Sequence, residues 1–168
     1  MSIDHRLCLT SQGSTVAREQ YDKIYRYCYF KLHNRELAED ITQETFLKYL
    51  ERYHFSSSET TLKCLYTIAR NLCIDEYRKP AILALEDDVE KHSEPPCEED
   101  TLLTTLAVRD ALKELTAEEQ ELLLLRYANE VPVGVIAKLF GISRFALRRR
   151  LLAALKKMEE KLREEDFS

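Results

Sequence analysis

The sequence predicts an all-α protein of two small helical domains, which an acidic, flexible linker joins. Only 3 Gly and 4 Pro occur in 168 residues, which favours helices over a turn-rich β fold. Apolar residues recur at spacings of three and four on both sides of residues 81–101, as they do along the buried face of a helix. Residues 81–101 contain eight acidic residues, one Lys and two Pro, a composition typical of an extended linker. We therefore place the domains at 16–80 and 102–163.

Three helices are expected in the first domain. Residues up to about 15 are polar and are expected to be loose, and the first helix spans 16–32. Asn34 is a suitable cap for a second helix from 35 to about 53. The serine-rich stretch 53–61 predicts a loop. A third helix then covers 62–79, and Pro80 ends it.

The second helix has two contrasting faces. At 100° per residue its apolar side is predicted to be the buried one, and it contains Leu37, Ala38, Ile41, Thr45, Phe46, Tyr49 and Leu50. On the other side Asp40, Gln43 and Glu44 are neighbours at i, i+3 and i+4, with Leu47 among them. A solvated face is the ordinary interpretation of such a pattern. An apolar residue inside an acidic patch favours a protein-binding surface.

The third helix combines an apolar face with a basic and amide-bearing one. The predicted inner face consists of Leu62, Leu65, Tyr66, Ile68, Ala69, Leu72, Cys73 and Tyr77. The outer face presents Lys63, Arg70, Asn71, Ile74 and Arg78. Cationic and amide side chains can hydrogen-bond phosphates and base edges, although a solvated face is the alternative.

The second domain contains a helix-turn-helix pattern. A helix over 102–115 is followed by a capping box of Thr116 and Glu119, which starts the next helix. The apolar-periodic segment from Val133 then runs into Gly141, and Ser143 can cap the next helix. The charged tail from residue 159 is expected to fray.

The helix-turn-helix segment is strongly basic. Residues 134–158 contain seven Lys and Arg and no acidic residue, in a chain of net charge −5. A local positive stripe is better evidence for a nucleic-acid surface than the overall charge is. Arg144, Arg148 and Arg149 lie near the start of a helix, where they oppose its dipole, so their position favours a function. Arg150 is a candidate for a structural ion pair with a nearby acid.

Several classes of function lack support in the sequence. The five cysteines show neither a CxxC pair nor zinc-like spacing with His, so no metal or cofactor is expected. Neither a secretion signal nor an apolar run of roughly 18 residues is present, which indicates reduced thiols in a cytoplasmic protein. We find no Gly-rich phosphate loop and no nucleophile with a base, which argues against an enzyme. A metal or redox sensor that uses Cys64 and Cys73 is a minor alternative.

Three motifs in a fixed order carry a resemblance to a known family. They are Ala38–Leu47 (AEDITQETFL), Leu65–Arg78 (LYTIARNLCIDEYR), and the segment from Ala111 through Gly141-Ile-Ser143 to Leu147. With these motifs the chain resembles bacterial RNA polymerase sigma factors of the extracytoplasmic-function class. The resemblance implies a sigma-two-like bundle, a sigma-four-like helix-turn-helix domain and a role in transcription initiation.

The resemblance also implies roles for individual residues. Those that match the docking surface for the clamp helices of the polymerase largest subunit are Asp40, Gln43, Glu44 and Leu47. Those that match the part that opens the minus-ten promoter element are Arg70, Asn71 and Arg78, together with the loop 55–61. Lys63 is a further candidate DNA-binding residue. The recognition helix from Arg144 would read the minus-thirty-five element, and its candidate DNA-binding residues are Ser143, Arg144, Phe145, Arg148 and Arg149. Further implied partners are the flap of the second-largest subunit and an anti-sigma factor.

The sequence departs from the family pattern at three places. Cys64 stands where the family usually has tryptophan, and residues 129–132 replace its glycine-containing turn. Phe145 and Leu152 are apolar where small or polar residues are common. A stand-alone helix-turn-helix regulator is the alternative function, and the acidic face around Asp40 argues against it, because a regulator that never meets polymerase has no need of that face.

Overall fold

In a computed structural model of the protein, residues 11–52, 58–79 and 99–166 are described. The chain divides into two compact units, 1–79 and 80–168. All regular structure within the described ranges is helical, which confirms the predicted fold class. None of the described helices is long and apolar enough to cross a membrane. Most of the predicted linker lies outside the described residues, but its last three positions, 99–101, already belong to a helix.

The first unit contains α1 (Ser11–Leu32), α2 (Arg35–Arg52) and α3 (Ser58–Arg78), which pack against one another. Asn34 caps α2 as predicted, because its Oδ1 accepts the N–H of Leu37 at 3.0 Å. Two expectations were wrong, since residues 11–15 and 58–61 are helical. Polar composition does not separate a loop from the start of a helix, where Ser, Thr and Asp or Glu are also common.

Two fully buried tyrosines form the centre of the first unit. The rings of Tyr27 and Tyr66 meet edge to face, with centroids 5.6 Å apart and an interplanar angle of 90°. Thr42 and Thr45 are buried on α2, and their hydroxyls donate to the carbonyls of Ala38 and Ile41 at 2.6 and 2.7 Å. The hydroxyls are thus satisfied within the helix and can be buried without another partner.

Two residues predicted for the buried faces are exposed. Leu50 on α2 is 42% exposed, and Tyr77 on α3 is 64% exposed. Both lie in the last turns of their helices, where periodicity continues but the neighbouring helices cover less of the surface. The Tyr77 hydroxyl donates to the carbonyl of Lys31 at the end of α1, so its ring lies across the edge of the bundle instead of inside it.

The second unit contains α4 (Glu99–Lys113), α5 (Ala117–Leu123), α6 (Val133–Phe140) and α7 (Arg144–Asp166). The capping box at the start of α5 is confirmed. Glu119 N–H donates to Thr116 Oγ1 at 3.2 Å, and Thr116 N–H donates to Glu119 Oε2 at 2.9 Å. The predicted fraying from residue 159 was wrong, because α7 continues to Asp166.

A π-helical turn, Leu124–Ala128, links α5 to the helix-turn-helix. Its widened winding is visible in the bond from Asn129 N–H to the Leu124 carbonyl, five residues back, at 2.9 Å. Asn129 is almost fully buried. The family's glycine turn is replaced here by Glu130, which has φ 53°. Glu130 is thus in the left-handed region, which costs a residue with a side chain about 1–2 kcal/mol.

Gly141 ends α6 in the left-handed conformation, with φ 65° and ψ 32°. A β-carbon on this residue would have no atom within 4 Å, so the need for glycine here comes from the backbone alone. The turn after Gly141 leads to Ser143, whose Oγ accepts the N–H of Ala146 at 3.1 Å and caps α7 as predicted.

We predict that Gly141→Ala lowers the free energy of unfolding by about 1–2 kcal/mol, because alanine pays the left-handed backbone cost without any compensating contact. Denaturant unfolding followed by circular dichroism measures the effect. Gly141→Asn is the matched control and should lose less, since Asn tolerates this conformation better. An alanine variant as stable as the wild type would contradict the explanation.

Candidate protein- and nucleic-acid-binding surfaces

The four residues predicted to bind polymerase share one exposed face of α2. We call this face the acidic surface; it comprises Asp40, Gln43, Glu44 and Leu47. Leu47 is 49% exposed. The four residues span about 10 Å along the helix axis, while Ala38 and Ile41 are buried on the other side of α2. The structure therefore combines negative charge and an exposed apolar side chain on a rigid element.

Contacts with α1 and along α2 orient part of the acidic surface. Gln43 hydrogen-bonds the Tyr21 hydroxyl, and the Tyr21 ring lies 5.4 Å from the ring of Phe46. Burial raises the pKa of Tyr21, and the bond from Gln43 opposes this shift. Glu44 pairs with Lys48 at 3.3 Å. The Tyr21 contact was not visible in the sequence, because it joins residues on different helices.

The candidate DNA-binding residues of α3 also share a face. We call it the α3 surface; it comprises Lys63, Arg70, Asn71 and Arg78, within an arc of about 100° and over about 22 Å of helix. Arg70 is half-buried and the other three are exposed. Ile74 lies on the same face and is 38% exposed. Residues 55–57 of the loop assigned to the minus-ten element lie outside the described residues.

The two cysteines considered for a thiol sensor are separated. Cys64 and Cys73 lie nine residues apart, on opposite sides of α3. Cys64, which stands where the family usually has tryptophan, is half-buried. Cys73 is buried and hydrogen-bonds Cys28 on α1; this bond lowers the pKa of Cys28, while burial opposes the shift. Within the described ranges, no three His, Cys, Asp or Glu residues are grouped to hold a metal ion.

Two groups of cations on α7 differ in their surroundings. The first group pairs with acids at or near α4 and α5. Arg150 pairs with Glu118, and Lys157 Nζ lies 2.6 Å from Glu119 Oε1. Lys161 Nζ lies 4.0 Å from Glu114. The structural role considered for Arg150 is thus confirmed by an ion pair between α7 and α5.

The second group lies at the start of α7 and faces solvent. We call it the recognition surface; it comprises Ser143, Arg144, Phe145, Arg148 and Arg149, all exposed. Phe145 is 71% exposed, and the Arg149 guanidinium carbon lies 5.9 Å from its ring centroid, within the range of a cation–π contact. Leu152, two turns into the helix, is 66% exposed. The surface is therefore basic with apolar side chains interspersed.

Comparison with known proteins links each unit to a described family domain. The family model Sigma-70 region 2 matches residues 16–81, and the model Sigma-70, region 4 matches residues 105–158. Among curated relatives, the ECF RNA polymerase sigma factor SigL of Mycobacterium tuberculosis is 26% identical over 161 residues, which cover 90% of this chain and 91% of SigL. The RNA polymerase sigma factor SigV of Bacillus subtilis is 28% identical over 92% of this chain and 93% of its own length.

One similar relative is a longer protein. The ECF RNA polymerase sigma factor BldN of Streptomyces coelicolor is 30% identical over 139 residues, or 77% of this chain, and the chain spans 53% of BldN. Among solved structures, the sigma factor RpoE of Bartonella quintana, crystallised with the anti-sigma factor NepR, matches with a TM-score of 0.62 and 16% identity. The match covers 92% of this chain and 98% of RpoE, and it supports the fold.

The ion pair between Lys157 and Glu119 gives stability a specific pH dependence. The hydrogen bond from Lys157 and the Thr116 backbone N–H hold the pKa of Glu119 below its ordinary value. Because the pKa is lowered in the folded state, the contribution of the pair is complete above the unfolded value of about 4.3. It is lost as the pH falls through the lower folded pKa.

We therefore predict that Lys157→Met destabilises the protein at pH 7 and that the difference from the wild type shrinks below about pH 4. Denaturant unfolding at several pH values measures this difference. Lys156→Met is the matched control. Lys156 is adjacent to Lys157, is exposed, and pairs with no carboxylate among the described residues. Equal pH profiles for the two variants would exclude the proposed linkage.

Proposed function

Because the chain belongs to the extracytoplasmic-function class of RNA polymerase sigma factors, which are transcription initiation factors, we propose that its two units divide promoter recognition between them. The domain at 16–80 binds core polymerase and opens the minus-ten element, and the domain at 102–163 holds the minus-thirty-five element. The observation that carries this division is the contrast between two surfaces. The acidic surface on α2 carries an exposed leucine, whereas the recognition surface on α7 is basic.

The acidic surface is suited to a helical partner that presents basic and apolar side chains. Leu47 supplies an apolar anchor, and Asp40 and Glu44 supply charges that steer the encounter and fix its register. In our proposal the partner is the pair of clamp helices in the polymerase largest subunit. The flap of the second-largest subunit is the proposed contact of the second domain, on the basis of family membership.

The α3 surface is the proposed site of strand opening. Lys63, Asn71 and Arg78 are exposed on one face, where they can hydrogen-bond the backbone and base edges of a separated strand. Unstacking a base costs a few kcal/mol, and a site that accepts the turned-out base recovers part of this cost. Opening therefore needs no chemical step and no catalytic residue. The protein acts by binding the open state of DNA more tightly than the closed state.

The recognition surface is the proposed reader of duplex DNA. With the start of α7 in the major groove, Arg148 and Arg149 can contact phosphates or guanine edges, and Phe145 can contact thymine methyl groups. The cap at Ser143 fixes the start of the helix, so these side chains are presented from a rigid backbone. Binding through phosphate contacts should weaken as salt rises.

Two further proposals rest on family membership. Bacterial transcription takes place in the cytoplasm, so we place the protein there. An anti-sigma factor is the proposed regulator, as suggested by the RpoE structure, in which that sigma factor is bound to NepR. The alternative of a stand-alone regulator is not favoured, because the chain contains a sigma-70 region 2 in addition to the helix-turn-helix.

The proposal is tested by separating the two surfaces. We predict that Asp40→Ala/Gln43→Ala weakens binding to core polymerase roughly tenfold or more, the effect typical of central interface residues. Asp22→Ala, which removes an exposed carboxylate from α1, is the control and should bind normally. Affinity for core polymerase, measured by fluorescence anisotropy of labelled protein, gives the readout.

We predict the opposite pattern for Arg148→Ala/Arg149→Ala. This variant should bind core polymerase like the wild type but lose discrimination of the upstream promoter element, since each good base contact contributes about 1–3 kcal/mol. Run-off transcription from a promoter library measures the loss. Arg163→Ala, near the far end of α7, should behave like the wild type. If both double variants initiate normally, the assigned surfaces are wrong.

A further inference from the structure

Gly134, in the first turn of α6, is covered by the side chain of Arg144. A β-carbon on Gly134 would lie 2.8 Å from Arg144 Nη2 and 3.3 Å from both Cζ and Nε. At 2.8 Å a carbon and a nitrogen atom overlap, and the contact is repulsive. The Arg144 side chain would therefore have to move if Gly134 carried a β-carbon. The guanidinium therefore occupies space that only glycine leaves open at this position.

The backbone gives no separate reason for glycine at this position. Among the described glycines, Gly141 has a positive φ, whereas the φ of Gly134 is not positive. Glycine is also a poor residue within a helix, where alanine is more stable. The structural reason for glycine at position 134 is thus the space that it leaves for the Arg144 guanidinium.

The first turn of α6 offers no negative charge that would draw the guanidinium to this place. The first turn of α6 contains no acidic residue, and the start of a helix carries a partial positive charge that repels a cation. In the described part of the chain, Arg144 forms no ion pair with a carboxylate, unlike Arg150 and Lys157. The guanidinium thus retains its hydrogen-bonding capacity for an external acceptor.

We propose that Gly134 is a positioning residue for Arg144, and that Arg144 so placed binds a phosphate of the promoter backbone instead of a base edge. The inference rests on the proposed function. In a helix-turn-helix, the second helix enters the major groove while the first helix crosses the backbone. The Arg144 guanidinium packs against α6, which is the first helix and therefore the one that contacts phosphates. Base edges would then be contacted by Phe145, Arg148 and Arg149.

A phosphate contact and a base contact leave different signatures. Loss of a phosphate contact weakens binding almost uniformly across DNA sequences and lowers the salt slope by about 1. Loss of a base contact relaxes specificity at one position. We expect Arg144→Ala to weaken upstream binding about tenfold on every sequence, as for one charge-assisted hydrogen bond, and to lower the slope.

Gly134→Ala should reproduce part of this effect without a loss of stability. Its methyl group displaces the guanidinium, and we expect affinity to fall several-fold. The displaced atoms are the end of a flexible side chain and alanine favours the helix, so the melting temperature should be no lower than that of the wild type. A purely structural role for Gly134 predicts a lower melting temperature instead.

The experiment uses the full chain assembled with core polymerase. The probe is a fluorescent promoter duplex selected from a randomised library, with variants that replace each upstream base pair singly, and affinities are measured at several salt concentrations. The protein variants are Gly134→Ala, Arg144→Ala and Arg144→Lys, and Gly134→Ala combined with each of the two Arg144 substitutions. Arg163→Ala is the control. Lysine keeps the charge but lacks the planar group that meets Gly134.

The inference predicts that Gly134→Ala has little effect once Arg144 is Ala or Lys, because the group it displaces is gone. It is overturned if the Gly134→Ala effect persists in full in those backgrounds. It is also overturned if Arg144→Ala relaxes specificity at one base pair or binds like the wild type. The proposed function fails separately, if the wild-type holoenzyme shows no upstream discrimination or if Arg148→Ala/Arg149→Ala leaves it intact.

Discussion

The helix-turn-helix unit depends on one apolar seam along α7. Leu147, Leu151 and Ala154 are buried, and α7 packs against α4, α5 and α6. The seam fixes the rotation of α7 about its axis. Each residue advances by about 100° around the helix. The paired cations Arg150 and Lys157 therefore flank the seam on one side, and the recognition surface begins on the other side of the seam.

This arrangement explains why residues of the same type have different tasks. Arg148 and Arg150 are two positions apart, and therefore about 160° apart around the helix. One faces solvent, and the other reaches Glu118 on α5. The sequence pattern identified the basic segment, but it could not separate the two groups of cations, because the division depends on where α5 lies beside α7.

Local signals in the sequence predicted most of the fold. The caps at Asn34, Thr116 and Ser143 mark helix starts because each acts through its own neighbouring N–H groups. Two of the errors occurred where tertiary contacts decide the outcome. Leu50 and Tyr77 continue an apolar period beyond the covered part of their helices.

The candidate surfaces were predictable to the extent that they are single helix faces. Spacing alone places Asp40, Gln43 and Glu44 together on α2. The bond from Gln43 to Tyr21 and the approach of Arg144 to Gly134 join different helices, and nothing in the spacing indicates them. Orientation of a functional side chain is thus the part of a site that a single sequence conveys least.

The π-helical turn at Leu124–Ala128 has a consequence for how this unit tolerates changes in chain length. A π turn holds one residue more than an α turn does at the same place. Removing one residue from it would let the segment wind as an ordinary α-helix, and α6 would then rotate by about 100° with respect to α5. The direction in which the chain leaves the turn is therefore set by the number of residues in the turn as well as by their identity, so that an insertion or deletion in this segment should change the orientation of α6.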